Sequence, residues 1–401
     1  MTATTVDSPV LATDWLARAR EVAEVLAGDA AERDAAGRTP VAEVRLLKES
    51  GLVTLLGSRA AGGGGQDWST ALDVVRTVSR ADGSVGQLLG YHYLWFWAAR
   101  FFGTEGQIRL LEEEAIRGTL FYSGALNPRD KDMAAVDRGD SLVINGRKSF
   151  ASGSGLSDRT FLGAALPDGR PAFVIAESTA PGLVYHHDWD NMGQRLTESG
   201  TITVTDLEVP WTAALGFVDK ELVSSVYSSL SILTLQQIMA NLYQGIAEGA
   251  LSAAAGYTRT QTRPWPYGGD PKDSACEEWY VLEHYGDFQS RLWATGALVE
   301  STNAALSDAL HDPRPAMTPQ RRGELAVRIS AAKQRTIIEG LDVCTRMFDV
   351  MGARATSGKY RFDRFWRNLR THSLHDPVAY KKREVGQYAL MGQLPRPTFY
   401  S

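Results

Sequence analysis

The chain has 401 residues, of which 44% are hydrophobic and 22% charged, with a net charge of −5 at pH 7. That length exceeds one ordinary core and calls for two or three domains, unless one large helical body absorbs several segments. The acidic balance leaves no basic footprint for nucleic acid. Two cysteines, Cys276 and Cys344, cannot build a disulfide framework and fit a reducing cytoplasm. Apolar windows are interrupted well short of the ~18 residues of a membrane span. The opening residues lack the basic region and apolar run of a signal peptide, so a cytoplasmic location is expected.

In chain order, residues 14–36 set Trp15, Leu16, Ala19, Val22, Val25 and Leu26 at helical spacing, with Asp14 as N-cap and Gly28 as a weak point. Residues 40–50 predict a second helix, with Pro40 at its first position and Gly51 just past its end. The run Gly62-Gly63-Gly64-Gly65 reads as a loop. It lacks the Gly-x-Gly-x-x-Gly spacing after a strand, so no dinucleotide fold is indicated. Residues 69–81 are helical again. The segment 83–102 is unusually aromatic (Tyr91, Tyr93, Trp95, Phe96, Trp97, Phe101, Phe102), and such a stripe serves equally well as core or as a ligand-facing wall.

From about residue 119 the pattern changes. Residues 141–144 and 147–150 read as two short strands about a type I′ turn at Asn145-Gly146. Residues 160–166, 172–177 and 201–209 are further β-prone runs between Gly, Pro and Asp breaks. A small antiparallel β domain is expected here. Within it, residues 151–155 either offer backbone N–H groups and hydroxyls to a ring or an anion, or form a plain flexible turn.

Beyond Pro210 the chain returns to helix. Residues 222–262 form a long weakly polar segment, 263–271 a Pro- and Gly-rich break, and 277–310 a second long segment. Thr318 and Pro319 supply an N-cap and a first helical position. Ile337, Leu341, Cys344, Phe348 and Met351 make a core-facing seam, and Gly352 a stop. Long helices with short connections bundle antiparallel. The expected architecture is mainly α with a central β domain: an N-terminal helical domain (1–118), a small β domain (119–215) and a C-terminal four-helix bundle (216–401).

The stretch 360–377 crowds arginines and aromatics against His372 and His375. Arginine holds phosphate or carboxylate, histidine moves a proton near neutral pH, and Pro377 ends a helix by biasing Asp376 away from helical angles. This stretch reads as one wall of an active site. His372, His375 and Asp376 have no Cys/His pair elsewhere at metal spacing, and the adjacent His186 and His187 face apart, so no metal is expected. No Gly-x-Ser-x-Gly elbow, reactive-cysteine motif or Walker-type loop is present. A site for a planar, phosphate-bearing cofactor remains.

The domain order resembles the acyl-CoA dehydrogenase fold, and the text resembles flavin-dependent monooxygenases of that fold, above all the dibenzothiophene (sulfur) monooxygenases. The matching runs include Ala81-Asp82-Gly83-Ser84, Gly90-Tyr91-His92, Ser152-Gly153, Asp188-Trp189, Arg263-Pro264-Trp265, Gly352-Ala353-Arg354 and residues 362–377. The resemblance implies a reduced FMN supplied by a separate NAD(P)H-flavin reductase (FAD being possible), which meets O2 and passes one oxygen, through a flavin hydroperoxide, to a small aromatic substrate. It implies that Tyr91, Ser152, Gly153 and Trp189 hold the flavin ring. It implies further that Arg263 and Arg354 hold its phosphate, across a subunit boundary of a homotetramer, and that His375 acts with Ser152 on the peroxide. His372 is expected to be structural. The substrate side is expected to hold Gln87, His92, Phe96, Ala125 and Phe150, with Tyr93 and Trp95 nearby. Gln87 and Ala125 stand where those relatives carry histidine and asparagine, so the pocket differs in size and polarity. The rival reading is an acyl-CoA dehydrogenase; Asp376 would then replace a catalytic glutamate, one methylene short and held by proline.

Overall fold

The computed structural model describes residues 13–223 and 225–401. The opening residues, on which the expectation of no signal peptide rests, lie outside the described residues, as does Ser224 within the predicted long segment. Among the described residues, seven α-helices come first: α1 (Trp15–Gly28), α2 (Ala30–Ala36), α3 (Val41–Glu49), α4 (Trp68–Ala81), α5 (Gly83–Phe96), α6 (Ala98–Phe102) and α7 (Glu105–Gly118). Asp14 caps α1 by accepting from the Ala17 N–H, and Gly28 ends it, so the predicted helix over 14–36 is two. Pro40 is the N-cap of α3 rather than its first residue. Helix α5 is buried along its whole length. A helix apolar on every side belongs inside a core, and Asp82 secures its start by accepting from the Ser84 and Val85 N–H groups.

A seven-stranded sheet follows: β1 (Tyr122–Ala125), β2 (Ala134–Asp137), β3 (Ser141–Lys148), β4 (Arg159–Ala165), β5 (Pro171–Glu177), β6 (Leu183–Tyr185) and β7 (Ile202–Pro210). Most pairs are antiparallel, but β4 runs parallel to β1 and meets β2 in parallel at its end. The predicted hairpin at Asn145-Gly146 does not form. Strand β3 passes straight through, paired along its length with β7, and the register shifts at this point. Gly146, at φ 139°, sits where a Cβ would lie 2.3 Å from the Asp132 carbonyl oxygen, while Asn145 exchanges hydrogen bonds with Asp206 on β7. The Asn-Gly pair marks a bulge here.

After the short ribbon β8 (Phe217–Val218) and β9 (Glu221–Leu222), the chain forms α8 (Leu230–Gln261), α9 (Trp279–His311), α10 (Pro319–Met351), α11 (Asp363–His372) and α12 (Val378–Met391). Thr318 caps α10 with Pro319 at its first position, and Gly352 ends it at φ 79°. Helix α8 presses on α4 through glycine: a Cβ at Gly249 would stand 2.1 Å from the Arg80 carbonyl oxygen, and one at Gly245 2.4 Å from that of Arg76. Helix α5 meets the sheet equally closely, since a Cβ at Gly124 would lie 2.3 Å from the Trp95 ring, which stacks on Phe161 of β4 at 4.7 Å. Approach this close, of backbone or of an aromatic ring to a backbone, is open only to residues without a side chain. It joins the helical core to the sheet, leaving a cleft at their edge. Among the described residues no helix is long and apolar enough to cross a membrane.

Candidate active site

That cleft is a cavity of about 620 Å³ lined from α5, β1, the loops at 150–152 and 188–199, α8, the end of α11 and the last residues of the chain. Its aromatic walls are Tyr91, Trp95, Phe150, Trp189, Phe399 and Tyr400. Phe150 holds a left-handed backbone (φ 56°), which costs a bulky residue of order 1–3 kcal/mol. This turn sets its ring edge-on to Trp189, with centroids 5.9 Å apart.

The loop carrying Trp189 is held at both ends. Asp188 accepts from the Thr201 N–H at 2.7 Å and from its hydroxyl at 2.8 Å, and Trp189 Nε1 donates to the Gln194 carbonyl at 2.8 Å. The Gln194 N–H donates to Asn368 Oδ1 of α11 at 2.7 Å, and at Gly193 the loop lies so close that a Cβ would be 2.0 Å from the Arg367 carbonyl oxygen.

Ser152 lies 5% exposed at the cavity wall. Gln87 Nε2 donates to its Oγ at 3.0 Å, and the Ser199 hydroxyl is 2.7 Å away. The Gly153 N–H donates to the Thr197 carbonyl at 2.9 Å; with φ 77° the residue shapes this turn without lining the cavity.

Two histidines meet the cavity from the end of α11. His372 is committed to the protein: Tyr91 Oη lies 3.0 Å from Nε2 and Tyr243 Oη 2.8 Å from Nδ1, with Tyr243 also donating to the His372 carbonyl at 3.1 Å. Burial, with the nearby His375 and Lys333, pushes its imidazole well below the usual histidine range, so the ring is neutral. His375 Nδ1 donates to Asp376 Oδ1 at 3.1 Å, and its ring stands 6.3 Å from that of His372 and 5.9 Å from that of Tyr400. Asp376 is also paired with the buried ammonium of Lys333 on α10. Burial opposes the Asp376 carboxylate, but the bonds from His375 and the charge of Lys333 outweigh it and hold it below the ordinary carboxylate range.

The cavity therefore gathers Gln87, Tyr91, Phe150, Ser152, Trp189 and His375 from the sequence reading. Three expectations on the substrate side need correction. His92 is buried on the far side of α5, where it accepts from the Tyr122 N–H at 3.0 Å and its Nε2 donates to the Val53 carbonyl at 2.7 Å. Burial pushes it down to about 4. Phe96 packs against His92 and Tyr122 in the same core. Ala125 points into the sheet's own core, because strand alternation gives the cavity face to Gly124 and Leu126. Trp95 does line the cavity, whereas Tyr93 donates to the Leu52 carbonyl inside the helical core. Arg263 and Arg354 lie outside the cavity, exposed where α8 and α10 end; Arg354 donates to the Gln261 carbonyl at 2.6 Å. Of the arginines in the aromatic stretch, Arg361 and Arg367 clasp Asp34 of α2 rather than face the cavity. Sequence reasoning missed Gln194, Thr371, Phe399 and Tyr400. The last two carry no local signal, since only the return of the chain end across the fold brings them here.

The residues present fit a planar polar ligand. Among the described residues, Gln87 Oε1, Trp95 Nε1, Gln194 Oε1 and Thr371 Oγ1 are buried at this cavity without a protein partner. Buried polar atoms of this kind require a partner, and an isoalloxazine edge carries both donors and acceptors between apolar faces.

The chain matches the acyl-CoA dehydrogenase N-terminal domain over residues 14–118 and the acyl-CoA dehydrogenase C-terminal domain over residues 238–379. It is 40% identical to the "Probable FMNH2-dependent monooxygenase SfnC" of Pseudomonas putida, with 96% of this chain and 97% of that protein covered. It is 38% identical to the dibenzothiophene monooxygenase of Rhodococcus erythropolis, covering 97% and 96%. The solved methanesulfinate monooxygenase MsuC of Pseudomonas fluorescens superposes with a TM-score of 0.92 at 37% identity, covering 99% of this chain and 100% of that one. A helical domain, a central sheet and a helical bundle around one cleft define the acyl-CoA dehydrogenase fold. The chain belongs to that family, in its branch of flavin-dependent monooxygenases.

Proposed function

We propose that this chain is the oxygenase of a two-component system, taking reduced FMN from a separate NAD(P)H-dependent flavin reductase and using O2 to oxygenate a small aromatic or heteroaromatic substrate. The observation that carries this reading is the end-to-end similarity to a relative named as FMNH2-dependent, on a fold whose cavity unites Ser152, Trp189 and His375. Reduced flavin, when bound, would supply the two electrons that activate O2, which is the source of the transferred oxygen. The chain's own part would be to hold the ring with Trp189 and Tyr91, to offer Gln87, Gln194 and Ser152 to its polar atoms, and to exclude water behind aromatic walls. His375 presents its Nε2 as the proton acceptor, because Nδ1 already donates to Asp376. The aromatic lining favours a flat apolar substrate, in keeping with the dibenzothiophene of one relative's name.

The dehydrogenase reading loses its base. Asp376 is buried, paired with Lys333 and His375, and turned away from the cavity, while the carboxylate that does line it, Asp190, sits exposed at the rim. The proposed assembly is a homotetramer. It is supported by exposed Trp279, Leu282 and Trp293 on α9 and by Leu390 and Met391 on α12, more apolar surface than a lone helix normally leaves in water.

The test is turnover with a flavin reductase, NADH, FMN and 18O2 on dibenzothiophene, indole and methanesulfinate in parallel. One labelled oxygen in an aromatic product is expected. Oxygenation of methanesulfinate alone would overturn the aromatic assignment. Absence of any oxygenated product, with oxidation of an acyl-CoA thioester under an artificial electron acceptor, would overturn the oxygenase reading.

A further inference from the structure

The cavity histidine is the visible end of a longer buried arrangement. Lys333 lies in the middle of α10, 1% exposed, and its ammonium is bound by Asp376 Oδ1 and, at 2.6 Å, by Gln236 Oε1 of α8. Asp376 is 5% exposed in the turn between α11 and α12, and the same Oδ1 accepts from His375 Nδ1. Neither Lys333 nor Asp376 lines the cavity. Burying two charges is a costly way to fasten a turn to a helix, since well-packed apolar residues do as well or better. The arrangement therefore calls for a purpose that only charge serves.

From this geometry we infer that Asp376 and Lys333 are positioning residues for His375, holding it as the neutral Nδ1–H tautomer with Nε2 free toward the cavity. The carboxylate, as an acceptor, fixes which nitrogen carries the proton. The ammonium supplies the counter-charge to the carboxylate, so that the imidazole need not become imidazolium to balance it. A carboxylate next to an imidazole without that ammonium would favour the protonated ring, which has no lone pair to offer. Other titratable groups near this ring are His372 on α11 and Tyr400 in the chain end, with Lys381 and Glu384 of α12 beside Lys333. His372 is held neutral by burial, Lys381 and Glu384 pair with each other, and Arg129 and Asp130 act on Tyr400, so Asp376 with Lys333 is the charge pair bonded to the ring itself. Burial also pushes the Lys333 ammonium down to about 8, which places its loss of charge within reach of a titration.

The functional consequence rests on the oxygenase reading, but the primary test does not. In protein labelled with 15N-histidine and free of flavin, the His375 signal at near-neutral pH, assigned by its loss in His375→Asn, should report the neutral Nδ1–H tautomer. In Lys333→Met, where the carboxylate is left to the imidazole alone, the 15N shifts at that pH should move toward those of imidazolium. In Asp376→Asn the ring should stay neutral but lose its preference for Nδ1–H, since an amide donates as well as accepts. A change of tautomer preference is beyond an ion pair that only fastens the turn to the helix. An Nε2–H tautomer in the unmodified protein, or an unchanged tautomer preference in Asp376→Asn, would overturn the inference. The tautomer measurement stands even if neither variant folds. In turnover, Asp376→Asn should lower the share of consumed reduced flavin that ends in product by at least about tenfold, the remainder appearing as hydrogen peroxide. Unchanged coupling in a folded variant would count against the positioning role.

Discussion

His375 and His92 show how burial and hydrogen bonding give one residue type opposite uses. His375 keeps one ring nitrogen uncommitted at the cavity, and His375→Ala should fold normally yet lose about 100-fold in oxygenated product, with peroxide released instead. Undiminished product formation, measured by chromatography against flavin consumed, would remove His375 from the site. His92 spends both nitrogens on backbone, joining Val53 to Tyr122. Below pH 6.5 the unfolded chain takes up a proton that buried His92 refuses until about pH 4, so stability falls as pH drops through that window. At ~1.4 kcal/mol per unit the loss reaches about 3 kcal/mol. His372 acts in the same direction. His92→Gln keeps a donor and an acceptor but cannot charge, so its urea midpoint should depend less on pH between 6.5 and 4. An unaltered slope would mean that His92 is not the group titrating.

Between elements, the decisive feature is how closely the 188–200 loop lies on α11. Gly193 is buried against the Arg367 carbonyl, and the neighbouring Gln194 N–H is held by Asn368. A methyl group there has no room, and overpacking costs about 1–3 kcal/mol where neighbours cannot yield. Gly193→Ala should therefore lower the thermal midpoint and, by lifting Trp189, weaken FMN binding more than Ala substitution at the exposed Met192. Equal affinities by fluorescence titration would show that the ring does not depend on this loop. The same logic explains the Asn145-Gly146 pair. Its local chemistry is that of a hairpin turn, yet pairing with β7 along the whole of β3 uses the glycine to absorb a register shift instead.

Across the whole molecule, Arg263 and Arg354 are the residues whose expected role one chain does not complete. Both lie outside the cavity, and Arg354 donates to the carbonyl of Gln261, two residues before Arg263. If a neighbouring subunit brings such a pair to the cofactor phosphate, Arg354→Ala should raise the Kd for FMN by roughly 10-fold, the worth of about one charge-assisted contact. The loss should be smaller for riboflavin, which has no phosphate; equal losses for both ligands would assign Arg354 to the fold. Light scattering should give four times the 43.8 kDa chain mass, and a monomer would contradict the tetramer.

The helices, the β block between them and the wall formed by residues 360–377 were legible because they rest on local chemistry: apolar spacing, Thr318-Pro319 and Gly352 at the ends of α10, β-prone runs between breaks. The resemblance carried Ser152, Trp189 and His375 to a common cavity for the same reason, since those residues sit in long matching runs. Side-chain direction was not legible. Whether Ala125 or Gly124 faces the cleft depends on strand register, and whether His92 or Tyr91 does depends on which face of a wholly buried helix meets which neighbour. Nor could a sequence reading connect Lys333 with Asp376, or place Tyr400 beside His375. Those contacts join segments far apart along the chain, and only the packing of α8, α10 and the chain end around one cleft decides which distant charges share a low-dielectric interior.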